Sequence, residues 1–105
     1  MKWETTPAFA ADIRRLSHDE LTLFRKAVLE DFSPAADRKI ENAAAPWPRK
    51  LRVKTVQGAD GIWEMTWSFK GPDGRATFEW VTIQDEPGIR WRRVGGHEIF
   101  ADPAR

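Results

Sequence analysis

In Trp63-Glu64-Met65-Thr66-Trp67-Ser68-Phe69 every odd position is large and apolar and every even one is polar. A period of two is the signature of a half-buried strand, with one face to a core and one to water. Ala76, Phe78 and Trp80 repeat the pattern a few residues on. Between the two runs, Gly71-Pro72-Asp73-Gly74 offers a proline of fixed φ and a glycine free to take the left-handed region, which predicts a hairpin turn. A hairpin with so aromatic a face must be covered by other elements. The chain has the means: 41% of its 105 residues are hydrophobic, with six Trp and six Phe. That size suits one domain, residues 1–105.

The covering elements lie in the first half. Lys2-Trp3-Glu4-Thr5 reads as a short strand. Thr6-Pro7 is an N-cap followed by proline at the first helical position. Phe9, Ile13 and Leu16 then recur at helical spacing, which predicts a helix over 7–16. Ser17 and Glu20 have capping-box spacing, and Leu21, Phe24, Val28 and Phe32 form one stripe, which predicts a helix over 18–31. Ser33-Pro34 repeats the cap-plus-proline signal for a weaker helix over 34–43 with little apolar surface. Pro46 and Pro48 make residues 44–48 a connector. Trp47, flanked by these prolines, is expected to cap the sheet edge or to meet a partner.

In Leu51-Arg52-Val53-Lys54 apolar and basic residues alternate, which predicts another strand. Residues 57–61 read as a turn, Glu86-Pro87-Gly88 as a second, and 89–94 as the last strand. Helices followed by a run of strands predict an α+β fold, with helices on one face of a single, mainly antiparallel sheet. Leu21, Phe24, Val28, Trp63, Met65, Trp67, Phe78 and Trp80 are the expected core. The other sheet face is expected to carry Lys50, Arg52, Lys54, Glu64, Thr66, Arg75, Thr77, Glu79 and Arg90 or Arg92.

Net charge is only +1, so overall charge names no partner. Its distribution says more. Arg49, Lys50, Arg52 and Lys54 run with no acid between them, as do Arg90, Arg92 and Arg93. Such clusters can make a local positive field. Shortly after the second cluster, Gly95-Gly96 delivers His97. An imidazole titrates near neutrality, so beside fixed positive charge it suits phosphate chemistry. A capped strand end is the plainer reading of the same residues. There is no Cys, and His18 and His97 fit no ligand spacing, so neither a metal site nor a cofactor is expected. His18 sits inside the capping box as a surface residue. No apolar run resembles a leader or a bilayer span, which points to a cytoplasmic protein without a membrane partner.

In this order the residues resemble the RelE/ParE toxin superfamily of toxin–antitoxin systems. Phe9-Ala10-Ala11-Asp12-Ile13-Arg14-Arg15-Leu16-Ser17 is similar to that family's first helix. Lys50-Leu51-Arg52-Val53-Lys54 resembles its "leucine, arginine, basic" strand, and Ile62 to Trp67 the strand after it. Gly74-Arg75-Ala76-Thr77-Phe78 falls where the family often has glycine-aromatic-arginine. Ile89 to Val94, with Gly95-Gly96-His97, resembles the closing strand and glycine-x-histidine end of some branches. Four departures stand out: Arg75 is one position early, the hairpin Ser68 to Arg75 is longer than in compact members, the chain is less basic than the family, and it has no Tyr.

The resemblance implies a type II toxin: a metal-independent endoribonuclease acting on ribosome-bound mRNA, held by an acidic antitoxin. The RNA 2′-hydroxyl would attack the adjacent phosphate and the 5′-oxygen would leave. His97 would be acid or base. Arg75 and Arg52 would stabilise the phosphate charge, since guanidinium grips phosphate in a bidentate way. Lys50, Lys54, Arg90 and Arg92 would hold RNA. Glu64 or Glu79 would orient His97, or simply pair with basic residues across strands. The nuclease reading expects Lys50, Arg52, Lys54 and Arg75 to share a shallow basic concavity with His97. The alternative keeps the fold without the chemistry: a ParE-like or degenerate module acting by protein contact. An unrelated α+β nucleic-acid-binding or scaffold domain is the third reading.

Overall fold

The structure is a computed structural model that describes residues 1–68 and 74–101, with only the backbone at His97 and Ala101. The tip of the hairpin, including Phe69 and Gly71 to Asp73, lies outside the described residues. The fold is α+β. Strand β1 (Lys2–Thr5) leads into helices α1 (Pro7–Arg15), α2 (His18–Ala27) and α3 (Ser33–Glu41). Four strands follow: β2 (Lys54–Thr55), β3 (Trp63–Thr66), β4 (Arg75–Ile83) and β5 (Glu86–Gly95). They form one five-stranded sheet in the order β1-β5-β4-β3-β2. Three pairings are antiparallel and the β1–β5 pairing is parallel, so the sheet is mixed.

The caps act as their sequences predict. Thr6 Oγ1 accepts from Phe9 N at 3.1 Å. Ser17 and Glu20 close a reciprocal box, with Glu20 N donating to Ser17 Oγ and Ser17 N donating to Glu20 Oε1. Ser33-Pro34 does not break the chain as expected. A π-helical turn, Val28–Phe32, joins α2 to α3, and Ser33 N donates to Val28 O five residues back. Proline has no N–H to give, and a widened turn accommodates that loss without ending the helix. Nor does α3 lack a buried face: Ala35 and Ala36 are fully buried. It packs through small residues rather than through a stripe of large apolar ones.

The core lies between the helices and one sheet face. Trp91 is its hub. The rings of Phe9, Phe24, Phe32 and Phe78 lie 4.8 to 6.1 Å from its centroid. Phe9 belongs to α1 and Phe24 to α2, so both helices cover the same face. Phe24, Met65, Trp67 and Phe78 are buried as expected, whereas Leu21, Val28, Trp63 and Trp80 are half-buried. Trp47 stacks on Phe32 at 5.1 Å and 19°. The proline-flanked connector thus closes one end of the core.

Two expectations need correction. Residues 51–54 are not a strand. Arg49–Leu51 is a 3₁₀ turn, Arg52 takes the left-handed region at φ 47°, and only Lys54–Thr55 pairs with β3. Leu51 is fully buried, and directing its side chain into the core bends the chain where the alternation suggested a straight run. Glu86-Pro87-Gly88 is not a turn but the start of β5, paired with Ile83, Thr82 and Val81. The turn is Gln84-Asp85, whose φ values of 51° and 64° match the primed two-residue hairpin loop.

Candidate functional site

The sheet face away from the helices carries the charged residues. Cross-strand partners share a face, so Lys54, Glu64 and Thr77 form one row, and Thr66 and Arg75 the next. Glu4, Arg90 and Glu79 form a third row across β1, β5 and β4. Lys54, Glu64, Thr66, Arg75, Thr77, Glu79 and Arg90 thus share the expected face, but Thr66 and Thr77 are buried there, so the face is not open to water throughout. Lys50 and Arg52 do not, because they belong to the 3₁₀ turn and its left-handed cap. Arg52 is exposed there, and Lys50 pairs with Asp31 of the π-helical turn at 3.0 Å.

At one end of this face, Arg75 lies directly opposite Gly95, the last residue of β5. Beyond Gly95 the chain enters a 3₁₀ turn, His97–Ala101, which packs against β4 and β5. Glu98 fastens the turn: Gly96 N donates to its Oε1 at 3.0 Å, and Ile99 N donates back to Gly96 O. A Cβ at Gly95 or Gly96 would meet the Glu98 carboxylate at 2.8 or 2.7 Å. The glycine pair therefore makes room for this fastening. The backbone of His97 opens the turn, two residues past the partner of Arg75. The His97 side chain lies outside the described residues. Arg75 itself is half-buried, and its Nη1 donates to Gly74 O at 3.3 Å.

The remaining basic residues are matched by acids that are distant in sequence. Arg90 donates through Nη1 to Glu79 at 2.6 Å and through Nε to Glu4 at 2.9 Å. These two carboxylates, Glu79 first, raise the Arg90 pKa above the ordinary arginine value. Arg92 reaches the same Glu79 oxygen at 3.3 Å. Lys54 lies 3.8 Å from Glu64. Arg93 turns toward α1, where its Nε donates to Asp12 at 2.6 Å. The register shift in the β4–β5 ladder falls at this point, between the Phe78–Trp91 and Thr77–Arg93 pairs, which leaves Arg92 as the extra residue. The bulge is what separates Arg93, on Asp12, from Arg90 and Arg92, which share Glu79.

Asp12 is the residue that sequence reading missed. It is buried, and it accepts from Arg93 Nε and Nη2, from Val94 N at 3.1 Å and from Arg15 at 3.2 Å. The only signal available was an acid at a core-facing position of α1, one residue before Ile13. On the helix side, Trp47, Trp63 and Trp80 line an open groove beside Lys39, whose Nζ sits 5.9 Å from the Trp47 ring centre. A second groove of about 340 Å³ runs beside β1. Among the described residues, no group of three or more His, Cys, Asp or Glu side chains is placed to hold a metal ion. Among them, too, no helix is long and apolar enough to cross a membrane. No protein-family model matches the sequence, no curated protein matches it, and no solved structure matches the fold.

Proposed function

We propose that this chain is a toxin of RelE/ParE type, an endoribonuclease that cuts ribosome-bound mRNA without a metal and is neutralised by an acidic antitoxin in the cytoplasm. The observation that carries the reading is the register at the sheet end. Arg75 faces Gly95, so a guanidinium and the segment bearing His97 share one end of the polar face. Phosphoryl transfer from a 2′-hydroxyl needs a proton-transfer group and a fixed cation near the same phosphate, and this end offers both residue types. Lys54, two strands away on the same face, extends the positive surface along an RNA strand. Arg52, on the neighbouring turn, is the second candidate for phosphate.

Cleavage of mRNA on purified ribosomes, in EDTA, tests this. The wild type should leave a 2′,3′-cyclic phosphate or its opened product. Arg75→Ala should lose about 10²–10³ in rate, the usual loss of one charge-stabilising donor. His97→Ala should lose about 10²–10⁴. Cleavage that needs added Mg²⁺, or a fully active His97→Ala protein, would overturn the mechanism.

One observation favours a second reading. Arg90 and Arg92 are held by Glu4 and Glu79, so the middle of the polar face is an internal ion-pair lattice and not an open cationic track. That suits a ParE-like module that acts by gripping a protein. Growth arrest on expression that persists in both His97→Ala and Arg75→Ala would select it.

A further inference from the structure

The sheet ends on one side at β1, and among the described residues nothing pairs with its outer edge. The direction of the backbone groups on that edge is fixed. Thr6 N donates to Trp91 O, and in a parallel ladder alternate residues turn their N–H and C=O to the same neighbour. Lys2, Glu4 and Thr6 therefore serve β5. Trp3 and Thr5 present their backbone groups outward. Trp3 is also 61% exposed, an unusual state for an indole, and lines the second groove with Leu29, which is 71% exposed.

We propose that the occupant of this edge is a second copy of the chain, with β1 paired antiparallel to its counterpart and Trp3 on the twofold axis. The sequence of β1 is self-complementary in that register alone. Trp3 opposite its symmetry mate is a hydrogen-bonded pair, so each donates to the other and accepts in return. Lys2 then stands opposite Glu4 of the other copy, twice by symmetry. These are non-hydrogen-bonded positions, where facing Cα atoms come within about 4.5 Å and side chains are closest. Both side chains are on the polar face, 37% exposed for Lys2 and 42% for Glu4. Each also has a partner in its own chain, Glu86 for Lys2 and Arg90 for Glu4, so the new pairs would extend existing ones across the seam. Centring the pair on Glu4 would oppose two carboxylates, and centring it on Thr5 would bring Trp3 against Pro7, which begins α1. The local twofold of an antiparallel pair stands perpendicular to the sheet. Both indoles therefore project on the helix side, each beside the other copy's groove. A closed, isologous contact of this kind joins two five-stranded sheets into one of ten.

Sedimentation and cysteine trapping test the proposal. The wild type should sediment as a dimer whose dissociation is concentration-dependent. The chain has no Cys, so single cysteines report geometry without competition. Trp3→Cys should form an intermolecular disulfide readily, because facing Cα atoms of a hydrogen-bonded pair lie about 5.5 Å apart. Thr5→Cys should not, because its two copies would lie about 14 Å apart along the strands. Lys2→Glu, which sets acids opposite acids, should weaken the dimer about tenfold or more, and adding Glu4→Lys should restore it. All these sites are at least partly exposed, and a thermal melt checks that each variant folds. A monomer at every concentration would overturn the proposal, and so would trapping at Thr5→Cys as fast as at Trp3→Cys.

Discussion

Asp12 shows how much one side chain can decide. It is a buried carboxylate that satisfies two arginines and a backbone N–H, and it ties α1 to β5 across 81 residues of sequence. Removing one partner of a buried pair leaves the other charge uncompensated. Asp12→Ala should therefore destabilise the fold by about 3–5 kcal/mol in urea unfolding, and a loss below about 1 kcal/mol would show that Arg93 finds water instead. Arg92 and Arg93 are adjacent, yet one points to Glu79 and the other to Asp12. Their sequence reads as a cationic run. In space it divides between a shared lattice on Glu4 and Glu79 and a separate pair on Asp12, because every acid that meets it comes from another strand or helix. Local charge counting has no access to such partners. That Arg75 and the segment bearing His97 meet is legible from strand order, since β4 and β5 are consecutive; the register is not, because the turn is Gln84-Asp85 and a bulge at Arg92 shifts the ladder.

At the level of elements, what was legible is what is short-range. Thr6 and Ser17 cap their helices within three residues, and Trp63 to Trp67 alternates within five. The misread elements depend on something further away. Leu51 turns into the core because the space under the helices lies there. Pro34 stays helical because the turn before it widens. That widened turn delivers Phe32, fully buried against Trp47, Phe78 and Trp91. Phe32→Ala should cost about 3–5 kcal/mol, read by thermal or urea denaturation. The β4–β5 turn offers the opposite sign. Asp85 holds φ at 64°, which glycine adopts without the Cβ penalty of about 1–2 kcal/mol. Asp85→Gly should raise stability by about 1 kcal/mol, seen as a higher urea midpoint with unchanged slope.

For the whole molecule, near-neutral charge and the lattice of Arg90, Arg92, Glu4 and Glu79 limit how strongly RNA can be drawn in. Few groups remain to displace counterions. Binding to single-stranded RNA should therefore lose affinity with salt at a shallow log–log slope, about −0.7 per phosphate contacted and no more than about −3 in all. A steep slope in a filter-binding titration would show that the ion pairs open to receive RNA.

The parallel joining of β1 to β5 has a consequence in time. Thr5 is made well before its partner Trp91, with helices α1 to α3 and strands β2 to β4 between them, and Thr6 cannot anchor to that strand until β5 exists. Contacts this remote in sequence slow folding, because loop closure must precede their reward. On a ribosome synthesising about 5–20 residues per second, the first strand therefore waits several seconds for its neighbour. Through that interval Phe9 and Phe24 of the two helices lack Trp91, the ring they pack against. The growing chain carries a sticky surface before it carries the cover for it.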